Sequence, residues 1–335
     1  MRSEWLKISI IVAGWVIFIS LAHYMLNCRT SDSDVVKIGY MPVISNLSVP
    51  LMAEAAISMD KHWIDAIKFS SFADMADALR HGQLNIGFMI APLAIALRQQ
   101  GVDIKICYIG NRHESTLVGR KDIAGLRDLA DKTVAVPMRF SGHYLLLREL
   151  AKKMGFLDKI QIVEMNPPDM ASALMTGGLD AYFVGEPFAA QSIKAGQSKV
   201  LLFAEDYWPD FICNVMVVRT QFLNEKPSRA KIIIEAAARA GLWAKDHLKE
   251  ATAIASKWWG QPEDVVFFAL NNPPNRVVFD KFMPKKSELK RLARVMVEQG
   301  LTTSDNIDGL IDENFCPSEK QPKINSLKEI FPHGF

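Results

Sequence analysis

Cysteine is scarce and scattered: Cys28, Cys107, Cys213 and Cys316 stand apart, with no Cys-x-x-Cys spacing and no histidine cluster beside them. That pattern excludes a zinc site and a disulfide scaffold, and it makes Cys107, set in an apolar run, a small core residue. No metal and no cofactor is expected. Charge of one sign is also lacking. The formal net charge is +2, and no Lys/Arg stripe is interleaved with aromatics, so the electrostatic footprint of a nucleic-acid binder is missing. No internal repeat and no low-complexity tract is found, which excludes a repeat architecture.

What is present is an ordinary globular composition, 49% hydrophobic and 23% charged over 335 residues, long enough for two modest α/β domains with their own cores. The amino terminus differs in kind. Ile8 to Leu26 is apolar apart from Ser9, Ser20, His23 and small residues, and it approaches the ~20 residues that cross a hydrocarbon core. Arg2 and Lys7 before it, with Asp32 and Asp34 beyond, favour a cytoplasmic amino end and an extracytoplasmic body. Three readings stay open: an uncleaved anchor, a cleaved signal, and a lipidated Cys28. The run is long for a signal and lacks an Ala-x-Ala-like site, and Met25-Leu26-Asn27 fits a lipobox poorly.

Beyond the polar linker Arg29 to Asp34, strands and helices alternate. Strands are expected at 36–40, 67–70, 86–90 and 104–109, with helices at 49–59, 73–80 and 92–99 between them. A second block carries strands at 133–136, 160–163, 181–184 and 200–204, with helices at 143–154, 168–175 and 187–195. This βαβ rhythm implies parallel sheets covered by helices. After a strand at 215–218 the pattern turns helical, at 227–248, 251–258 and 287–299, and this tail is expected to wrap the first lobe. The expected organisation is residues 1–34 as membrane segment and linker, 35–120 as lobe 1, 121–210 as lobe 2, and 211–335 as the return to lobe 1 with the helical tail. Chain crossings near 117–125 and 205–218 make a hinge that suits closure around a ligand.

The stretch Asn166 to Phe188 is the most informative. Pro168 fits a helix first turn, Gly177-Gly178 end that helix, and Ala181 to Val184 reads as a buried strand running into Gly185-Glu186-Pro187. In open α/β sheets ligands lie beyond the carboxyl ends of strands, where this chain puts that turn.

With Ile38-Gly-Tyr-Met-Pro42, Gly82 to Gly87 running into Ala91-Pro92-Leu93, Val134-Ala-Val-Pro137 followed by Ser141-Gly-His-Tyr144, the 167–187 stretch and Asn214 to Val218 in order, the chain resembles the substrate-binding proteins of ABC importers for nitrate, sulfonates, taurine and bicarbonate. The resemblance implies a two-lobe type II periplasmic-binding-protein fold, a small anion or organic acid held between the lobes, delivery to a permease driven by a separate ATPase, and no chemistry on the ligand. It places the protein at the extracytoplasmic face of the inner membrane, tethered or released. Phe88-Met89-Ile90 stands where nitrate and bicarbonate binders tend to be polar, which leaves room for an organic ligand with an apolar part.

Candidate ligand residues follow. Ser141, Gly142, His143 and Tyr144 start a helix whose free N–H groups suit an oxyanion, while Ser141 serves equally as an N-cap and His143 as a surface histidine. Arg139 offers a fork for an anion or is a solvated loop residue. Glu186 accepts from a donor or fills a structural role near the next helix start. Pro42, Asn46, Ala91 and Pro92 line the same sheet end from the other lobe, with Ser48 as an N-cap, and Asn214 faces the cleft or satisfies backbone. Arg276 stands as a minor candidate. Two rival functions stay open: a small-molecule lyase pairing Glu186 with His143 as acid and base, and a tethered sensing module.

Overall fold

A computed structural model describes residues 2–27 and 35–332. The first unit contains helix α1 (Arg2–Asn27), and the second, the body, begins at Val36. Among the described residues no helix is long and apolar enough to cross a membrane. The spanning segment expected over Ile8 to Leu26 is therefore not established, and Cys28 and the linker 29–34 lie outside the described residues.

The body starts with β1 (Val36–Tyr40), α2 (Ser48–Ser58), β2 (Ile64–Lys68), α3 (Phe72–Arg80), β3 (Ile86–Ile90), α4 (Ala91–Gln99) and β4 (Ile104–Ile109). There follow β5 (Ser115–Arg120), β6 (Thr133–Val136), α5 (Gly142–Met154), β7 (Gln161–Glu164), α6 (Pro167–Met175), β8 (Ala181–Gly185), α7 (Phe188–Lys194) and β9 (Ser198–Phe203). The chain then returns through α8 (Ala204–Tyr207) and β10 (Asn214–Arg219) into α9 (Thr220–Glu225), α10 (Pro227–Asp246), α11 (Leu248–Trp259), α12 (Glu263–Asn271) and α13 (Lys286–Glu298).

Two five-stranded sheets result, ordered β2-β1-β3-β10-β4 and β7-β6-β8-β5-β9. In each, four strands run in one direction and one antiparallel strand is inserted among them from elsewhere in the chain. Strand β5 is the strand the sequence reading lacked. Its six residues precede no helix and belong to no βαβ unit, so the expected crossing near 117–125 falls earlier, at 110–114.

Local signals set the helix ends. Ser71 and Ser141 cap α3 and α5 by accepting from the N–H of Asp74 and Tyr144. Gly155 closes α5 in the left-handed region at φ 79°, where other residues are strained. Ser48 is not the N-cap expected of it. It is the first residue of α2, behind Leu47, which makes no side-chain cap.

The tail packs on both halves rather than on the first alone: α10 and α11 lie against α2, α12 against α7, and α13 between α4 and α5. Leu289, Leu292, Ala293 and Met296, spaced to share one face of α13, supply its buried side. The segment before α13 straps the chain crossings together. The backbone of Arg112 pairs with Val278, and the buried Arg112 guanidinium holds the carbonyls of Lys281 (3.0 Å) and Asp210 (2.8 Å) and the Glu288 carboxylate (2.9 Å).

Candidate functional site

The strand ends of the two sheets meet at one junction, and the two walls are built on the same pattern. Where β10 begins, the carbonyl of Cys213 accepts from the N–H of Ala91 (3.0 Å); where β5 begins, the carbonyl of Glu114 accepts from the N–H of Glu186 (3.0 Å). One residue on, Asn214 donates its side-chain amide to Asn46 Oδ1 (2.8 Å), and Ser115 Oγ pairs with His143 Nε2 (2.9 Å). Antiparallel register forces this correspondence, since Asn214 lies opposite Ile90 and Ser115 opposite Gly185.

The walls touch. The N–H of Ile44 donates to the Glu186 carbonyl at 2.8 Å, and a Cβ on Gly110 would lie 1.8 Å from the Ser45 carbonyl oxygen, so only glycine fits there. This is a shut junction. Beside it a cavity of about 420 Å³ opens between Ser71 to Ala73 on one side and Pro137, Met138 and Glu164 to Asn166 on the other. It lies at the ends of β2, β6 and β7, the position that the sheet topology favours for a ligand. A second cavity of about 310 Å³, lined by Trp208, Phe211, Arg291 and Leu292, borders the return crossing instead.

The chemistry of the walls is unequal. The first contributes Ser45, Asn46, Cys213 and Asn214, all buried and uncharged. Asn46 is fully engaged, donating also to the Met41 carbonyl (3.1 Å). The second contributes two buried carboxylates. Glu186 accepts from Thr116 Oγ1 (2.9 Å) and the N–H of Ala190 (2.8 Å) and lies 4.0 Å from Arg276. Burial pushes its pKa up, with Arg276 the main opposing influence.

Glu114 accepts from the N–H of Glu186 through Oε2 (2.7 Å), with the Cys213 and Ser45 side chains against the carboxylate. Burial raises it to about 7; Cys213 and Ser45 beside it, and then Arg276, pull down, and Glu186 adds to the rise. His143 is pushed down to about 3 by burial, so it is a neutral imidazole between the rings of Phe183 and Phe211. Its Nδ1 has no hydrogen-bond partner among the described residues. Arg276 reaches in from the strap, donating to Thr116 Oγ1 (2.9 Å) and the Ser115 carbonyl (2.7 Å), and is neutralised by Glu205.

The structure thus brings Asn46, Ala91, His143, Glu186 and Asn214 together. Pro42 is buried in the loop after β1, and Pro92 in the first turn of α4. Ser141 and Gly142 serve the start of α5, where Gly142 gives room to the Phe211 ring. Two candidates lie elsewhere. Arg139 is exposed and bound to Glu164 (2.8 Å), and Tyr144 turns along its helix to Arg148 (3.0 Å). His143 and Glu186 share no hydrogen bond, each being bound to a different neighbour, so the acid–base pair a lyase would need is not formed. Sequence reasoning missed Glu114, Thr116 and Glu205. The only available signal was the polar run Asn111 to Thr116 between two apolar strands, and without β5 nothing placed it at a sheet end.

The sequence profile of the NMT1-like family matches residues 29–259. The taurine-binding periplasmic protein of Escherichia coli (strain K12) is 31% identical over 208 residues, which cover 60% of this chain and 62% of that protein. The chain therefore aligns with less than two thirds of that relative. Among solved structures, the ligand binding component of an ABC-type import system from Staphylococcus aureus, with zinc bound, is 24% identical, covers 84% of this chain and 98% of its own, and has a TM-score of 0.75. The periplasmic nitrate-binding protein NrtA from Synechocystis PCC 6803 is 15% identical, with coverage of 85% and 87% and a TM-score of 0.77. These likenesses show the mixed α/β two-sheet periplasmic-binding-protein fold.

Proposed function

We propose, from the premise that the chain belongs to the NMT1-like family, that it is the extracytoplasmic solute-binding component of an ABC importer. It captures a small anion or organic acid of the nitrate, sulfonate, taurine and bicarbonate class by closing two lobes, and hands it to a permease served by a separate ATPase. The observation that carries this reading is the paired construction of the junction, where each sheet presents one strand end, one inserted strand and one buried polar pair to the same place. Such a site needs two halves that part and meet, which the double crossing at 110–114 and 208–213 allows. Asn46, Ala91, Pro92, Pro42 and Asn214 form one wall, and Ser141, Gly142, His143 and Glu186 the other. Helix α1 holds the binder at the membrane, with the body outside.

Thermal unfolding of the full chain against a panel of sulfonates, carboxylates, amino acids and nitrate tests the function. A specific binder gains RT ln(1 + [L]/Kd), ~2.7 kcal/mol at a hundredfold excess over Kd. A flat response across the panel would refute it, as would conversion of any panel member to product. Membrane attachment is checked by fractionation, in which release of the intact chain by alkaline carbonate would sink it.

A further inference from the structure

The cavity of about 310 Å³ between the return crossing and α13 takes no part in the junction, and its charges do not cancel. Its apolar wall is Trp208, Phe211, Ile212 and Leu292, with the rings of Trp208 and Phe211 centred 6.1 Å apart and inclined at 44°. Two carboxylates border it, and both are already matched: Asp210 by Lys281 (2.7 Å) and Glu288 by Arg112 (2.9 Å). The remaining charged group is Arg291. Its guanidinium stands over the Trp208 ring, 5.3 Å from the ring centroid, and no carboxylate pairs with it among the described residues. The cavity is thus an apolar slot with one unmatched cation at its rim.

Other cations of the body that stand over rings are paired differently. Lys194 over Phe268 and Arg276 over Phe203 each hold a carboxylate as well, Asp264 (2.6 Å) and Glu205 (2.5 Å). On the side where α13 packs on α5, Arg148 over Tyr144 and Lys153 over Tyr207 resemble Arg291 instead, each with a ring and no ion pair among the described residues. This side of the molecule therefore favours an anion and repels a cation. A guanidinium grips a carboxylate through two parallel N–H donors, and aromatic rings pack well against tilted rings. The volume lies at the small end of the ~300–1,000 Å³ of small-molecule pockets, which suits a single ring.

We propose that this cavity is a second ligand site, apart from the junction, and that it takes a small aromatic carboxylic acid, with the carboxylate on Arg291 and the ring against Trp208, Phe211 and Leu292. The proposal goes beyond the solute-binding reading and does not depend on it.

Isothermal titration of the full chain with benzoate and phenylacetate tests it, with benzamide, benzylamine and cyclohexanecarboxylate as comparators at about 0.15 M ionic strength. The expected result is saturable binding of at least one aromatic acid, about 10-fold or more tighter than benzamide and benzylamine, and tighter than cyclohexanecarboxylate. Arg291→Met, at an exposed position, should weaken that acid by about 10-fold or more. Arg291→Lys keeps the charge without the fork, should fall between, and serves if the methionine variant does not fold. Arg294→Met removes an exposed cation almost one turn further along α13, outside the cavity, and should change the affinity by less than about twofold. Equal losses in Arg291→Met and Arg294→Met would show diffuse attraction rather than a site and overturn the proposal. So would benzamide or cyclohexanecarboxylate binding as tightly as the acids, or no saturable binding of either acid. Loss of acid binding in Asn214→Ala with none in Arg291→Met would put the acid in the junction and overturn it as well. None of these failures touches the solute-binding reading, which the thermal-shift panel decides.

Discussion

In the first sheet the late strand β10 enters between β3 and β4; in the second the early strand β5 enters between β8 and β9. Each sheet therefore takes its antiparallel strand from a crossing of the chain, and each inserted strand carries a register shift, between Met216 and Val217 and between Leu117 and Val118. The backbone plan is shared and the furniture is not. Ala91, Cys213 and the Asn46–Asn214 pair answer to Glu186, Glu114 and the His143–Ser115 pair. The difference teaches that topology fixes where polar groups converge, while side-chain chemistry decides which wall carries charge. The first wall is a neutral frame. The second holds carboxylates that burial makes costly to ionise, and it needs Arg276 from the strap to remain tolerable.

Substitutions that remove the difference between the walls should therefore act unequally. The largest effect is expected at Arg276, because Arg276→Met leaves Glu205 and Glu186 without their cation. Breaking one side of a buried ion pair costs about 3–5 kcal/mol. Urea unfolding measures this, and a loss no greater than that of a surface mutant would show that the carboxylates are not held by Arg276.

Within the second wall, two buried groups should titrate in opposite directions. Glu114 is raised to about 7 from an ordinary 4.5, so between those values the folded state binds more protons and stability falls as pH climbs. Glu114→Gln should remove this slope, gaining about 2–3 kcal/mol on wild type between pH 5 and pH 8. His143 is lowered to about 3 from 6.5, so it is the unfolded chain that binds the extra proton, and stability is lost as pH drops below about 6.5. His143→Asn should flatten that acid limb by a similar amount, read from unfolding midpoints at pH 4.5 and 7. Parallel pH profiles for the two variants would contradict the assignment.

Smaller again is the contrast between the polar pairs. Asn214→Ala strands the buried Asn46 carbonyl oxygen and should cost about 1–3 kcal/mol, whereas Ser115→Ala removes a neutral bond to an imidazole and should cost about 1 kcal/mol. Equal losses would mean the amide pair is not the stiffer frame. Smallest of all, Arg139→Ala breaks an exposed ion pair with Glu164 and should change stability by less than about 1 kcal/mol and ligand affinity not measurably.

Most of the fold was legible because βαβ units write themselves locally. The runs at 36–40, 86–90, 104–109, 133–136 and 181–184 are strands as read, and the helices from Ala91, Gly142 and Pro167 start within a residue or two of where proline or serine signals put them. Strand β2 was read too late, at 67–70 instead of 64–68, because Ile64-Asp-Ala-Ile-Lys68 alternates weakly and is half-exposed. Helix α12 went unread for want of a cap signal beyond Pro262. The junction was legible only where a residue ended a recognisable strand or began a helix. Glu186 and Asn214 met that condition; Glu114, on a crossing, did not, and Arg276, on the strap, was no more than a minor candidate.

Composition, periodicity and turn chemistry alone determined that this chain forms two α/β layers with buried parallel strands, because those signals act over a few residues and need no partner. Which residues face one another across the junction was decided only by the tertiary structure. The contacts 46–214, 114–186 and 116–276 join positions 72 to 168 residues apart, and antiparallel insertion of β5 and β10 sets them. So it was with charge: the sequence shows a near-neutral protein, and only folding gathers three carboxylates around one guanidinium.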